Sequence, residues 1–135
     1  MVLIAPPSQR GGQRIRKPAD VAQQALLHHQ TVPDAWERWC DRHRVNTANT
    51  ALGPQFDQYQ TQIRAVSVGM GLGLVPECLV QQELARGEVV TPLPGRGVEL
   101  ESGYCLCYLS AHAAMPALLA FKGWLLGESG TQATR

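Results

Sequence analysis

The stretch Asp57-Gln58-Tyr59-Gln60-Thr61-Gln62-Ile63-Arg64-Ala65-Val66-Ser67-Val68-Gly69-Met70-Gly71-Leu72-Gly73-Leu74-Val75-Pro76 decides the fold class. Tyr59, Ile63, Val66 and Met70 fall at i, i+4, i+7 and i+11, a buried stripe on an otherwise polar segment. A helix is therefore expected to begin at Asp57. Its end comes at the glycines, and Leu72 to Pro76 reads as a short strand halted by proline, which has no N–H for a ladder. A Rossmann dinucleotide fingerprint needs glycines that follow a strand and open a helix. Here the order is reversed, so Gly69, Gly71 and Gly73 are read as a C-cap and a tight helix-to-strand turn.

Working outward toward the amino end, the loop 44–55 holds Asn46, Asn49, Gly53 and Pro54. Before it, Trp36, Trp39, Cys40 and His43 recur at spacings of three and four and form one face of a helix. Thr31-Val32-Pro33-Asp34 supplies its start: a capping hydroxyl, a proline in the first turn and an acid at the positive end of the dipole. Ala25-Leu26-Leu27-His28-His29 is a short strand ending in two histidines, and Pro18-Ala19-Asp20 opens a short helix. Residues 6–17 are a polar loop with Arg10, Arg14, Arg16 and Lys17, a cluster able to touch an anion but more simply a solvated loop. Residues 1–5 form a strand stopped by Pro6 and Pro7.

Toward the carboxyl end, residues 77–86 form a helix closed by Gly87, Glu88 to Leu93 a strand, and 94–102 a Gly/Glu-rich turn. Tyr104 to Leu109 is a further strand, followed by a helix from Met115 to Leu126 and a disordered tail over 128–135. Strands and helices alternate, so the class is α/β.

At 135 residues the chain holds one compact domain. Twelve basic and eleven acidic side chains leave a formal charge of +1. That balance argues against these residues gripping nucleic acid, which calls for a basic excess or stripe. No apolar run reaches membrane-spanning length, and the first residues lack the charged and long apolar regions of a secretory signal. Cys40, Cys78, Cys105 and Cys107 show no disulfide spacing and read as reduced thiols in a bacterial-type cytosol, behaving as small buried hydrophobes. Cys40 with His43 and Cys105 with Cys107 each share a face, which raises zinc, but a bare C-x-C in an apolar strand is a weak signal for it. Neither a strained G-x-S-x-G elbow nor a cysteine at a helix amino end marks a nucleophile, so no catalytic residue, metal or cofactor is assigned. His28 and His29 are of interest because open α/β sheets bind ligands outside the carboxyl ends of their strands. The plain alternative is that one histidine packs inward and the other is solvated.

The order Pro18-Ala19-Asp20, Leu26-Leu27-His28, Ala35-Trp36-x-x-Trp39, Gly53-Pro54-x-Phe56-Asp57, Gly69-x-Gly71-Leu72-Gly73-Leu74-Val75-Pro76 and Glu83-Leu84-Ala85-x-Gly87 continues with Gly103-Tyr104-x-Leu106-x-Tyr108. It closes with Pro116-Ala117-x-x-Ala120-Phe121-x-x-Trp124-Leu125. This collinear set resembles the effector-binding domain of LysR-type transcription regulators, especially the glycine-cleavage-activator subgroup. The resemblance covers roughly residues 2–127.

The resemblance implies a type 2 periplasmic-binding-protein fold, in which two α/β lobes joined by crossover strands enclose a small effector. Residues 6–103 would be the second lobe, a mixed sheet flanked by helices. Strands 1–5 and 104–109 would be hinges, and the helix 115–126 would pack on a first lobe that this chain lacks. Effector contacts would come from Leu27, His28, His29, Phe56, Asp57, Gln58, Val75 and Pro76. The amino end of a helix suits an anionic or carbonyl group, whereas Asp57 suits an ammonium, so an amino-acid-like effector is expected. The expected role is effector sensing in a cytoplasmic regulator that reaches DNA only through an absent helix-turn-helix domain. A solute-binding protein of the same fold and a Cys/His hydrolase are the alternatives. Leu118, Phe121, Trp124 and Leu125 lie on an apolar face expected to join two copies in a homodimer, with no membrane partner.

Overall fold

The computed structural model describes residues 1–7, 14–46, 53–99 and 105–128. Arg10, Asn49, Gly103, Tyr104 and the tail beyond 128, all singled out in the sequence, lie outside the described residues. The chain divides into two compact units, Met1–Leu100 and Glu101–Arg135.

The first unit is built on strands β1 (Val2–Ile4), β2 (Leu26–His29), β3 (Gln55–Phe56) and β4 (Leu72–Val75), with helices α1 (Pro18–Val21), α2 (Ala35–His43), α3 (Tyr59–Ser67) and α4 (Gln81–Ala85). The sheet order is β1-β4-β2-β3. β2 runs parallel to both β3 and β4, while β1 is antiparallel to β4, so the sheet is mixed.

Period-two alternation along the strands divides the core into two layers. Leu3, Leu26, Leu72 and Leu74 join Trp36, Trp39 and Cys40 of α2 on one face. Ile4, Leu27 and Val75 join Ile63 and Val66 of α3 and Val80 on the other. Every residue of β2 and β4 is buried, as parallel strands covered on both faces require.

The helix expected from Asp57 begins two residues later, with Gln58 as its N-cap. It also ends sooner. Met70 donates its N–H to the Ala65 carbonyl and Gly69 donates to Val66, a Schellman closure centred on Gly69 at φ 89°. Met70 is thereby turned out of the buried stripe and is 52% exposed. The helix expected over 77–86 is instead a 3₁₀ turn, Glu77–Leu79, followed by α4.

The strand expected over Glu88–Leu93 is reduced to one antiparallel bridge, Ala5 with Val90, whose two N–H···O bonds are 2.8 and 2.9 Å. The next hydrogen-bonded pairs of such a ladder would be Leu3 with Pro92 and Pro7 with Glu88. Neither proline has an N–H, so each of those pairs loses one of its two bonds, which disfavours extension of the ladder. Conversely, residues 55–56, read as the end of a loop and the approach to a helix, form the two-residue strand β3.

In the second unit, the described residues 105–109 are not in a strand, contrary to the expectation for 104–109. Alternation alone does not make a strand; a ladder needs a second one. A 3₁₀ turn over Ser110–His112 leads to helix α5, Pro116–Glu128.

Candidate functional site

The β2 strand is apolar enough to be buried on both faces, which brings its two terminal histidines to the edge of the core. The parallel register sets His28 beside Gln55 and His29 beside Phe56. His28 donates its backbone N–H to Pro54 and Gln30 donates to Phe56, both at 2.9 Å. A Cβ on Gly53 would overlap the Leu26 carbonyl oxygen, so this close approach of the β3 segment to β2 needs glycine there. Because β4 is parallel to β2, Val75 and Pro76 lie at the same carboxyl edge of the sheet as His29.

Both histidines are buried, so the reading in which one of the pair is solvated does not hold. The His29 ring stacks on Tyr59, the first residue of α3, with centroids 3.7 Å apart and planes 11° from parallel. Thr31 donates its N–H to His29 Nδ1 at 3.3 Å, and its hydroxyl lies 2.9 Å from the same nitrogen. A backbone N–H can only donate, so Nδ1 is the bare nitrogen and the neutral ring carries its proton on Nε2. Thr31 thus holds His29 instead of capping α2. The N-cap of α2 is Asp34, whose carboxylate bonds Arg38 at 2.6 Å. Burial pushes the His29 imidazole below its ordinary value of 6.5, and the Asp57 carboxylate pulls it partly back.

The remaining expected contacts are split between surface and core. Asp57 and Gln58 are exposed, Phe56 and Pro76 are half-buried, and Leu27 and Val75 are fully buried. The latter two present no surface, backbone or side chain, to an approaching molecule. Two cavities of about 440 and 470 Å³ lie elsewhere, one beside β1 with Arg42 and Glu77, the other between Arg64 and Arg86; none of the eight residues lines either.

Two residues outside the expected contact set, Trp36 and Gln62, hold the β2 edge in place. The Leu27 carbonyl accepts Trp36 Nε1–H from α2 and Gln62 Nε2–H from α3, each at 2.9 Å. One carbonyl therefore ties both helical layers to the strand that ends in His28 and His29. Gln62 is 1% exposed, and the bare Cα of Gly73 leaves room for its amide. The signal was present: Gln62 sits at i+3 from Tyr59, a polar residue within the buried stripe.

The cysteines also divide. Cys40 is buried, and burial raises its pKa above the ordinary thiol value of 9.0. Cys78, Cys105 and Cys107 are exposed, contrary to their reading as small buried hydrophobes.

A family model described as the LysR substrate binding domain matches residues 1–130. The HTH-type transcriptional activator AmpR of Citrobacter koseri is 34% identical over 114 residues, covering 84% of this chain and 38% of that protein. The glycine cleavage system transcriptional activator of Escherichia coli (strain K12) is 25% identical over 122 residues, covering 90% and 39%. The effector domain of the regulator AmpR of Pseudomonas aeruginosa superposes with a TM-score of 0.77 at 25% identity, covering 96% of this chain and 59% of that one. The AmpR effector binding domain from Citrobacter freundii superposes with a TM-score of 0.65 at 21% identity, covering 93% and 61%. The chain spans about two fifths of the length of the curated relatives it matches.

Proposed function

Since the chain belongs to the LysR substrate-binding domain family, we propose that it is the effector-sensing part of a LysR-type transcription regulator and that its effector docks at the carboxyl edge of β2. The observation that carries this reading is the meeting of His29, Phe56 and the amino end of α3 at one edge of the sheet. The positive end of the α3 dipole attracts a carboxylate, and the exposed Asp57 beside it attracts an ammonium. An amino-acid-like molecule offers both. Residues 6–103 act as the second lobe, with 1–5 and 104–109 as hinges. The parent protein works in the cytoplasm, reaches DNA through a helix-turn-helix domain and performs no catalysis. Switching is a population shift between lobe arrangements and needs the first lobe. A solute-binding role has no observation in its favour.

Calorimetric titration of the chain with free amino acids, alongside matched monocarboxylates and primary amines, tests the site. We expect the zwitterions to bind best, and Asp57→Asn to weaken them by roughly tenfold. Equal binding of carboxylates and zwitterions, or no effect of Asp57→Asn, would overturn the assignment. The near-neutral charge predicts weak, sequence-independent binding to duplex DNA by this chain, read by gel shift at low salt.

A further inference from the structure

The two nitrogens of the His29 ring stand in different situations. Nδ1 accepts the Thr31 N–H, which leaves the proton of the neutral ring on Nε2. Nε2 is buried, and among the described residues nothing accepts its hydrogen bond. A buried donor with no acceptor is costly, because its bonds to water are lost and not replaced, and native folds keep few of them. The position of this one gives it a use. His29 is 5% exposed and closes β2 at the carboxyl edge of the sheet. Its ring lies 3.7 Å from that of Tyr59, the first residue of α3. The donor therefore stands at the positive end of the α3 dipole, where a carboxylate is already favoured. The Asp57 carboxylate acts electrostatically on the same ring, so a cationic group has its counter-charge close by.

We propose, on the effector reading above, that His29 Nε2–H is the donor that receives the carboxylate of an amino-acid effector, and that the Tyr59 ring is the cover that shifts to admit it. Each charge of the effector then has one named partner, Nε2–H for the carboxylate and Asp57 for the ammonium. Because Nε2 is buried, a ligand reaches it only after a neighbour moves. Tyr59 is the neighbour stacked on the ring, and it is only half-buried, so its ring has solvent to swing into. A neutral histidine donates without adding charge, so it discriminates by hydrogen bonding. A molecule with an acceptor pairs the buried donor, and one with an ammonium alone leaves it unpaired and is rejected.

The test is proton–nitrogen NMR of the full chain carrying isotope-labelled histidine, titrated with L-alanine, propionate and ethylamine. L-alanine should move the His29 Nε2–H signal downfield and bind at least about tenfold more tightly than ethylamine. His29→Phe keeps a ring to stack on Tyr59 but no donor, and should lose about tenfold in L-alanine affinity. His29→Gln keeps an amide donor and should lose less. Tyr59→Ala should speed L-alanine association, and thermal melts check that each variant is folded. Suppose L-alanine binds and Asp57→Asn weakens it, while the Nε2–H signal stays in place and His29→Phe binds as well as the unsubstituted chain. The donor assignment then falls and the effector reading stands. If none of the three molecules binds, both fall. A proton found on Nδ1 in the free protein would also overturn the assignment.

Discussion

Helices α2 and α5 carry the main aromatic apolar residues of their respective units, yet they end in opposite environments. In Ala35–His43, four residues are buried, Ala35, Trp36, Trp39 and Cys40, while Glu37, Arg38, Asp41 and Arg42 face water. In Pro116–Glu128 the only charged side chains are Lys122 and Glu128, yet none of its residues is buried. Leu118, Leu125 and Leu126 are half-buried, Phe121 is 46% exposed and Trp124 58%. Apolar content does not produce burial by itself. An amphipathic helix needs one surface to lie on, and the sheet provides it for α2. A helix apolar around most of its circumference needs cover on several sides. Phe121 and Trp124, 5.7 Å apart at their ring centroids, give each other only partial shelter.

The sharpest test of this contrast sets one tryptophan against another. Trp36→Ala removes a fully buried ring and its bond to Leu27, and should cost about 3–5 kcal/mol in denaturant unfolding. Trp124→Ala, measured at high dilution, should change unfolding by less than about 0.5 kcal/mol. Comparable losses would mean that α5 is covered as well as α2.

A second experiment asks whether α5 finds its cover in another copy. Covering an apolar side chain of this kind is worth about 1.5–3 kcal/mol. We propose that Leu118, Phe121, Trp124 and Leu125 pair two chains, and sedimentation should show a dimer at tens of micromolar, roughly the range of a weak complex. A monomer with water-exposed tryptophan emission there would refute it.

Gln62→Ala comes next. It removes one of two donors from the Leu27 carbonyl while Trp36 keeps the other, so the loss should be about 1–2 kcal/mol in unfolding. A zero cost would mean that the clamp from α3 adds nothing to the β2 edge.

The smallest effect is a pH dependence confined to the first unit. His29 titrates below 6.5 when folded, so as pH falls through that value the unfolded chain takes up the proton first. Stability is therefore fully present above pH 6.5 and declines as pH falls toward the lowered folded value. Thermal melts across this window should show the decline, and His29→Phe should flatten it. An unchanged slope in His29→Phe would assign the effect elsewhere.

Local pattern was enough for the α/β class, helices α2, α3 and α5, strands β2 and β4, and the glycine turn between α3 and β4. These follow from side-chain period and from the backbone limits of glycine and proline, both of which act over a few residues. It also placed the histidine pair at a strand end. Long-range packing set the rest: Thr31 holds His29 and does not cap α2, Gln62 crosses from α3 to the Leu27 carbonyl, and residues 55–56 become a strand. It alone set which leucine of β2 faces which helix, and limited Glu88–Leu93 to one bridge with Ala5. The reason is common to all of these: a polar group or short strand takes whichever partner distant backbone brings within hydrogen-bonding reach, and local sequence does not name that partner.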